Sequence, residues 1–248
     1  VLGSLIAAVY GLLIGALTFR YELKGHYFAL ATLAFAELLR YTFVNTAELG
    51  GASGFFRPLP RTYADGPGLA AFQFLETLPY YYLILGFLLV VTVVSLVINR
   101  SQLGYYLFAI REREQAASAI GVPTYRYKLL AVSVSAFFTA WPGAFWAMYF
   151  NTIRPDTVFE LLVNVEVLLP AIVGGIGTVL GPIVGSFIVT PVGEFVRQSF
   201  EIPGLNNIIY GVVLIAIVLY SPKGVVSWPS RLADLLREHT SVLDSDDS

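Results

Sequence analysis

Nineteen consecutive residues, 80–98 (YYYLILGFLLVVTVVSLVI), carry no charge, and this run constrains the fold more than any other feature of the chain. A helix that crosses a hydrocarbon core of roughly 30 Å needs about 20 apolar residues at about 1.5 Å each. Tyr80, Tyr81 and Tyr82 open the run with the aromatic cluster typical of a membrane–water interface. Other segments repeat the pattern: 1–19, 25–44 and 129–150, then 161–173 and 179–196 around a glycine-rich corner, and finally 208–220. The expectation is an all-α polytopic membrane protein with about six spans and a glycine-rich helix break. A transmembrane domain would occupy 1–220, with a polar loop at 99–128 and a cytoplasmic tail at 221–248.

Composition points the same way. Hydrophobic residues make up 56% of 248 positions and charged residues 13%, with mean hydropathy +0.72. A soluble domain carries roughly 25% charged residues. The net charge of -2 says little, because the sum hides where charges sit. With no cysteine there is no disulfide, thiolate metal site or thiol nucleophile, and His26 and His239 lie too far apart in sequence to suggest a multi-histidine site. Nothing in the chain suggests nucleic-acid binding. It opens on Val1 inside an apolar run, without an initiator Met or a basic leader, as a fragment of a longer protein would.

Short loops rich in Lys and Arg stay cytoplasmic. Alternation of the spans puts Arg20, Lys24, Arg100, Arg111, Arg113, Arg126, Lys128, Lys223, Arg231 and Arg237 on one side, ten of the fifteen basic residues. Arg57, Arg61, Arg154 and Arg197 fall opposite, and Arg40 lies within a span. The loop 45–79 is therefore expected outside, and the acidic tail 244–248 is expected to be disordered and cytoplasmic.

Gly174, Gly175, Gly177, Gly181, Pro182 and Gly185 fall at membrane depth or its edge, where non-helical backbone must be buried in protein or line a cavity. No Lys-Ser/Thr follows them, so a phosphate-binding loop is excluded. Gly181 and Gly185 form a small-xxx-small pair suited to close helix approach. Charges inside spans are costly and mark a pair or a pathway. Glu37 and Arg40 stand at i, i+3 and can neutralise each other, whereas Glu166, ahead of Pro170, has no local partner and is a candidate pathway group. No nucleophile, base and orienter can be assembled, which argues against an enzyme.

One strongly charged island interrupts this apolar chain, 110–127 (IREREQAASAIGVPTYRY). It sets Arg111, Glu112, Arg113 and Glu114 against a small-residue run, Ala116, Ala117 and Ala119, before Gly121 and Pro123. A polar loop of this size between two spans calls for a partner in water, so the island is the candidate docking site.

Glu114, Ala116, Ala117 and Gly121 resemble the docking loop of ABC importer permeases, in which Glu, x, Ala, Ala, three residues and Gly form a short helix that inserts into a groove on the ATPase. Alanines let such a helix lie close to a partner, Gly121 ends it and Pro123 prevents its continuation. The resemblance extends to 25–40 (GHYFALATLAFAELLR), 50–54 (GGASG), 104–130, 172–185 (IVGGIGTVLGPIVG) and 220–224 (YSPKG), in the same order and with similar spacing. Together they are similar to the branched-chain amino acid (Leu/Ile/Val) ABC importer permease, M-type subunit.

That resemblance implies a helix bundle similar to the vitamin B12 importer permease, in a prokaryotic cell (inner) membrane. It also implies a second homologous permease subunit, two cytoplasmic ATPases that bind the ATP and Mg, an extracytoplasmic solute-binding protein, and no cofactor in this chain. Family members usually begin earlier, which implies one or two further spans ahead of Val1, and they commonly have small residues where Trp141 and Pro142 stand. The function it implies is inward movement of branched-chain or other hydrophobic amino acids by alternating access. A urea or short-amide permease shares the scaffold and docking loop. An ion-coupled secondary transporter, with Glu37 and Glu166 as coupling sites, is a further alternative, opposed by the lack of a second inverted half.

Overall fold

The computed structural model describes residues 2–56, 77–150, 152–199, 208, 209, 211, 212 and 215. The loop 57–76, most of the 208–220 segment, the 220–224 motif and the 221–248 tail lie outside the described residues. Contacts divide the chain into two compact units, Val1–Glu160 and Leu161–Ser248.

In the first unit the order is α1 (Leu2–Arg20), α2 (His26–Asn45), 3₁₀ turns at Ala47–Leu49 and Gly51–Ser53, β1 (Phe55–Phe56), α3 (Thr77–Arg100), α4 (Gln102–Ala119), α5 (Thr124–Phe150), β2 (Thr152–Ile153) and α6 (Pro155–Val158). Five stretches among the described residues are long and apolar enough to cross a membrane: α1, α2, α3, α5 and Pro155–Gly174. The most apolar window of α3 has no buried residue within this chain, and most of its Leu and Val side chains are exposed. Such a surface suits lipid or another membrane subunit.

α1 packs chiefly on α5. The buried residues of α1 are Ser4, Gly11, Gly15 and Thr18, one small-residue stripe at intervals of seven, four and three. A Cβ on Gly11 would lie 2.8 Å from the Ala136 Cβ, and one on Gly15 would lie 3.1 Å from a Leu129 methyl carbon. The stripe thus lets the helices approach closely, as small residues do where the hydrophobic effect supplies no drive. The Thr18 hydroxyl, buried in the seam, donates to the Ile14 carbonyl at 2.8 Å. Tyr10 donates to the Phe35 carbonyl on α2 at 2.9 Å.

The Tyr80–Tyr82 cluster divides. Tyr81 and Tyr82 are exposed, while Tyr80 is buried edge-on against Phe145 and Tyr149 of α5. Trp141 has a comparable role further along α5, with Phe87 of α3 5.1 Å and Phe138 5.5 Å away between ring centroids. Bulk at this position fills the α3–α5 seam with aromatic contacts. α5 continues through Pro142.

At the far end of α2, Gly50 and Gly54 take positive φ (90° and 73°) and close the two 3₁₀ turns. β1 then pairs antiparallel with β2, Phe55 opposite Ile153 and Phe56 opposite Thr152. A Cβ on Gly54 would overlap the Ile153 carbonyl, so the GGASG turn is shaped to receive this strand.

The second unit is described over α7 (Leu161–Gly174) and α8 (Gly181–Ser199), which pack on each other around buried Leu169, Val173 and Val189. Between them Gly175 and Gly177 take φ of 128° and 89°, a backbone that L side chains resist. Thr178 Oγ1 donates to the Gly175 carbonyl at 2.9 Å. Cβ atoms on Gly174 and Gly185 would overlap the carbonyls of Gly181 and Pro170 respectively. Pro182 sits in the first turn of α8, where its missing N–H has no helical partner to lose.

Candidate functional site

The charged island folds into the α3–α4–α5 corner. Ser101 caps α4, its hydroxyl oxygen accepting from the Gly104 N–H at 3.4 Å and donating to the Ile98 carbonyl at 2.7 Å. A Cβ on Gly104 would lie 2.7 Å from the Asn99 carbonyl oxygen, so the turn from α3 into α4 admits no side chain there. α4 is not one straight helix. Arg113 leaves helical geometry (φ −152°, ψ 96°), which separates the first arm from a short terminal helix beginning at Glu114.

That terminal helix ends in a Schellman motif. The Val122 N–H reaches the Ala117 carbonyl at 3.1 Å and the Gly121 N–H the Ser118 carbonyl at 3.0 Å, with Gly121 at φ 87°. The motif characteristically brings together two apolar residues, here Ala117 and Val122, and both are buried. Pro123 follows, and α5 starts at Thr124.

The candidate docking residues therefore divide between two faces. Ala117 is 3% exposed and belongs to the packing of the corner. Arg111, Glu112, Arg113, Ala116 and Gly121 are exposed, as are Gln115, Ser118 and Ala119. Ile120, 79% exposed, is a large apolar side chain at the tip. Ala116, Ala119 and Ile120, at i, i+3 and i+4, form one small-and-apolar surface on the last turn. Ile120 was missed by sequence reasoning, although a lone apolar residue between Ala119 and Gly121 was the available signal.

Glu114 is turned toward its own chain. Its carboxylate accepts from Lys128 Nζ of α5 at 2.6 Å and lies 3.6 Å from Lys24 Nζ in the α1–α2 turn. The hydrogen bond from Lys128 is the main cause holding its carboxyl below the usual carboxylate pKa; partial burial opposes it, and the charges of Lys128 and Lys24 add to it. The Lys128 ammonium also lies over the Phe19 ring, 4.9 Å from its centroid. Phe19 in turn stacks on Phe28 of α2, with centroids 5.3 Å apart and planes 6° off parallel. A cleft of about 600 Å³ opens here, lined by Phe19, Arg20, Lys24, Glu114, Tyr125 and Lys128 among others.

The other candidates lie elsewhere. Arg40 Nε donates to Glu37 at 2.9 Å, and its Nη1 donates to Asp156 of α6 at 3.1 Å, a second partner distant in sequence. Glu166 is exposed on α7 and forms no hydrogen bond or ion pair with another described residue. Gly174, Gly175, Gly177, Gly181, Pro182 and Gly185 form the α7–α8 turn and its close contacts, as described above. Among the described residues, no three His, Asp or Glu gather as metal ligands would.

Residues 1–218 match the family described as branched-chain amino acid transport system, permease component. The chain is 29% identical over 244 residues to the high-affinity branched-chain amino acid transport system permease protein LivM of Escherichia coli (strain K12), covering 91% of this chain and 56% of that protein. It is 26% identical over 243 residues to the LivM protein of Salmonella typhimurium (strain LT2), again covering 91% and 56%. The chain thus spans little more than half the length of these curated relatives. No solved structure matches it. The match over nearly the whole sequence, together with the apolar helices, places this all-α, multi-pass membrane protein in the branched-chain amino acid transport permease family, with LivM-like relatives.

Proposed function

We propose that the chain is the M-type membrane subunit of an ATP-driven importer, carrying branched-chain or other hydrophobic amino acids inward by alternating access. The observation that carries this reading is the α4–α5 corner: a short helix on a charged loop presents Ala116, Ala119 and Ile120 outward while its glutamate is anchored inward. An exposed small-and-apolar turn suits insertion into a groove on a soluble partner, because small side chains permit close approach. Two cytoplasmic ATPases fit that role and would bind the ATP and Mg. A second permease subunit and an extracytoplasmic solute-binding protein complete the proposed assembly in a prokaryotic inner membrane.

Charge supports the orientation. Arg20 and Lys24 at the α1–α2 turn meet Lys128 and the α4 tip at one end of the first unit, the end assigned to the cytoplasm. The Gly174–Gly185 turn is read as a packed helix break, since its glycines meet backbone atoms and carry no charge for a substrate. A urea or short-amide permease is the second reading, on the shared scaffold alone. The test is uptake of labelled leucine and labelled urea by vesicles reconstituted with and without the ATPases. ATP-dependent leucine uptake supports the proposal; urea uptake alone replaces it with the second reading.

A further inference from the structure

We propose that Glu114 is a positioning residue: through Lys128 and Lys24 it fastens the docking turn to α1, α2 and α5, so that movement of the turn is passed to those helices. This rests on the docking reading but gives Glu114 a different task, since its carboxylate faces the chain rather than the partner.

Four contacts make the connection. Glu114 meets Lys128 at 2.6 Å and Lys24 at 3.6 Å, joining α4 to α5 and to the α1–α2 turn. Lys128 sits over Phe19 at 4.9 Å, and Phe19 stacks on Phe28 at 5.3 Å, continuing the connection through α1 into α2. The clamp lies just beyond the backbone break at Arg113. A helix segment hinged on one side and tied by a charged pair on the other moves with whatever it is tied to. Without the pair, the terminal turn keeps its Schellman closure through Gly121 and Val122 but loses its hold on Lys24 and Lys128. Lys128 is the less exposed of the two lysines, so its hydrogen bond is the stronger part of the clamp.

The absence of cysteine allows a direct test. In the assembled transporter, with its other subunits also cysteine-free, Glu114→Gln is compared with Glu114→Cys/Lys128→Cys before and after linking by a short bifunctional thiosulfonate. Two quantities are read: the leucine moved per ATP hydrolysed, and the mobility of a nitroxide on a cysteine introduced at exposed Ser118, measured in Glu114→Gln and in the parent. Glu114→Gln, whose amide oxygen still accepts from Lys128 but carries no charge, should retain the ATPases, free the nitroxide and lower leucine per ATP about fivefold, the scale of losing the acceptor's charge from one hydrogen bond. Linking the double-cysteine variant should restore the ratio.

An unchanged ratio in Glu114→Gln, or a linked pair as uncoupled as the unlinked one, overturns the proposal. Loss of ATPase capture both in Glu114→Gln and in the linked double-cysteine variant also overturns it, and assigns Glu114 to the ATPase interface. If the parent protein itself captures no ATPase, the docking reading fails separately, and a nitroxide equally immobile in Glu114→Gln and parent then removes the clamp as well.

Discussion

Arg40 reaches Asp156 at 3.1 Å across 116 positions of sequence, while the same guanidinium holds Glu37 at 2.9 Å one helical turn away. Phe43 and Phe159 meet 6.0 Å apart beside it, and the β1–β2 pair adds backbone bonds between the same two segments. The end of α2 and the GGASG turn that follows it are therefore joined to the 152–159 segment by charge, ring contact and strand pairing together.

The two partners of Arg40 should differ in importance. Asp156 is more than half exposed, so Asp156→Asn should change stability by only about 0–1 kcal/mol. Arg40→Met leaves Glu37 without its cation midway along a proposed span and should lower the melting temperature more than Asp156→Asn does. Thermal unfolding of the two variants in one detergent measures the difference. Equal melting temperatures would show that Glu37 does not depend on Arg40.

Spans α1, α2, α3 and α5 could be read from sequence because their signal is local: run length and few or no charges. The pairing of Glu37 with Arg40 was legible for the same reason, at i, i+3, whereas Asp156 was not, because nothing local brings it near. Likewise Glu114 stood out in sequence as a member of the charged island, but its inward direction depends on Lys24 and Lys128 from other elements. The break at Arg113 had no propensity signal, arginine being a good helix former. The Ser4–Gly11–Gly15–Thr18 stripe was visible in principle, yet in a chain with 22 glycines small residues alone do not name the helix they face.

Topology can be read with single cysteines at Ser53 and Ser118, both exposed. An impermeant thiol reagent on intact cells should label position 53 and spare position 118 until the membrane is opened. The reverse pattern would invert the assignment based on Lys and Arg.

The two alanines of the docking turn should respond differently. Ala117 is buried, so Ala117→Leu overpacks the corner by about 1–3 kcal/mol and lowers folded yield. Ala119 is exposed, so Ala119→Glu should leave yield and melting temperature near those of the parent but abolish ATPase co-purification. Full capture by Ala119→Glu would remove that face from the interface.

Acid should loosen the docking turn late. The Glu114 carboxyl is held below its ordinary value by the Lys128 hydrogen bond, so the stabilisation is complete above the unfolded carboxylate value of about 4.3. It is lost as pH falls through the lower value of the folded state. Protection factors at 117–122, which divide out the intrinsic pH dependence of amide exchange, should therefore stay constant as pH falls from about 7 to 5 and drop only below the ordinary carboxylate value of about 4.3. Glu114→Gln should show no such step from this group, and an unchanged step in that variant would assign it to another carboxylate.

Glycine-to-alanine changes offer a graded test of the α7–α8 turn. At Gly174 and Gly185 the new Cβ would overlap the carbonyls of Gly181 and Pro170, rigid backbone atoms that cannot swing aside. Each change should destabilise by at least about 1–3 kcal/mol, the usual range for forced overpacking. Gly86 in α3 has nothing within 4 Å of the same built atom, so Gly86→Ala should be neutral or stabilise by about 0.5–1 kcal/mol through helix propensity. Folded yield and melting temperature in detergent rank the three. If Gly185→Ala folds like the parent but shifts preference between leucine and smaller solutes, the turn contributes to the translocation path and its glycines are not there for packing alone.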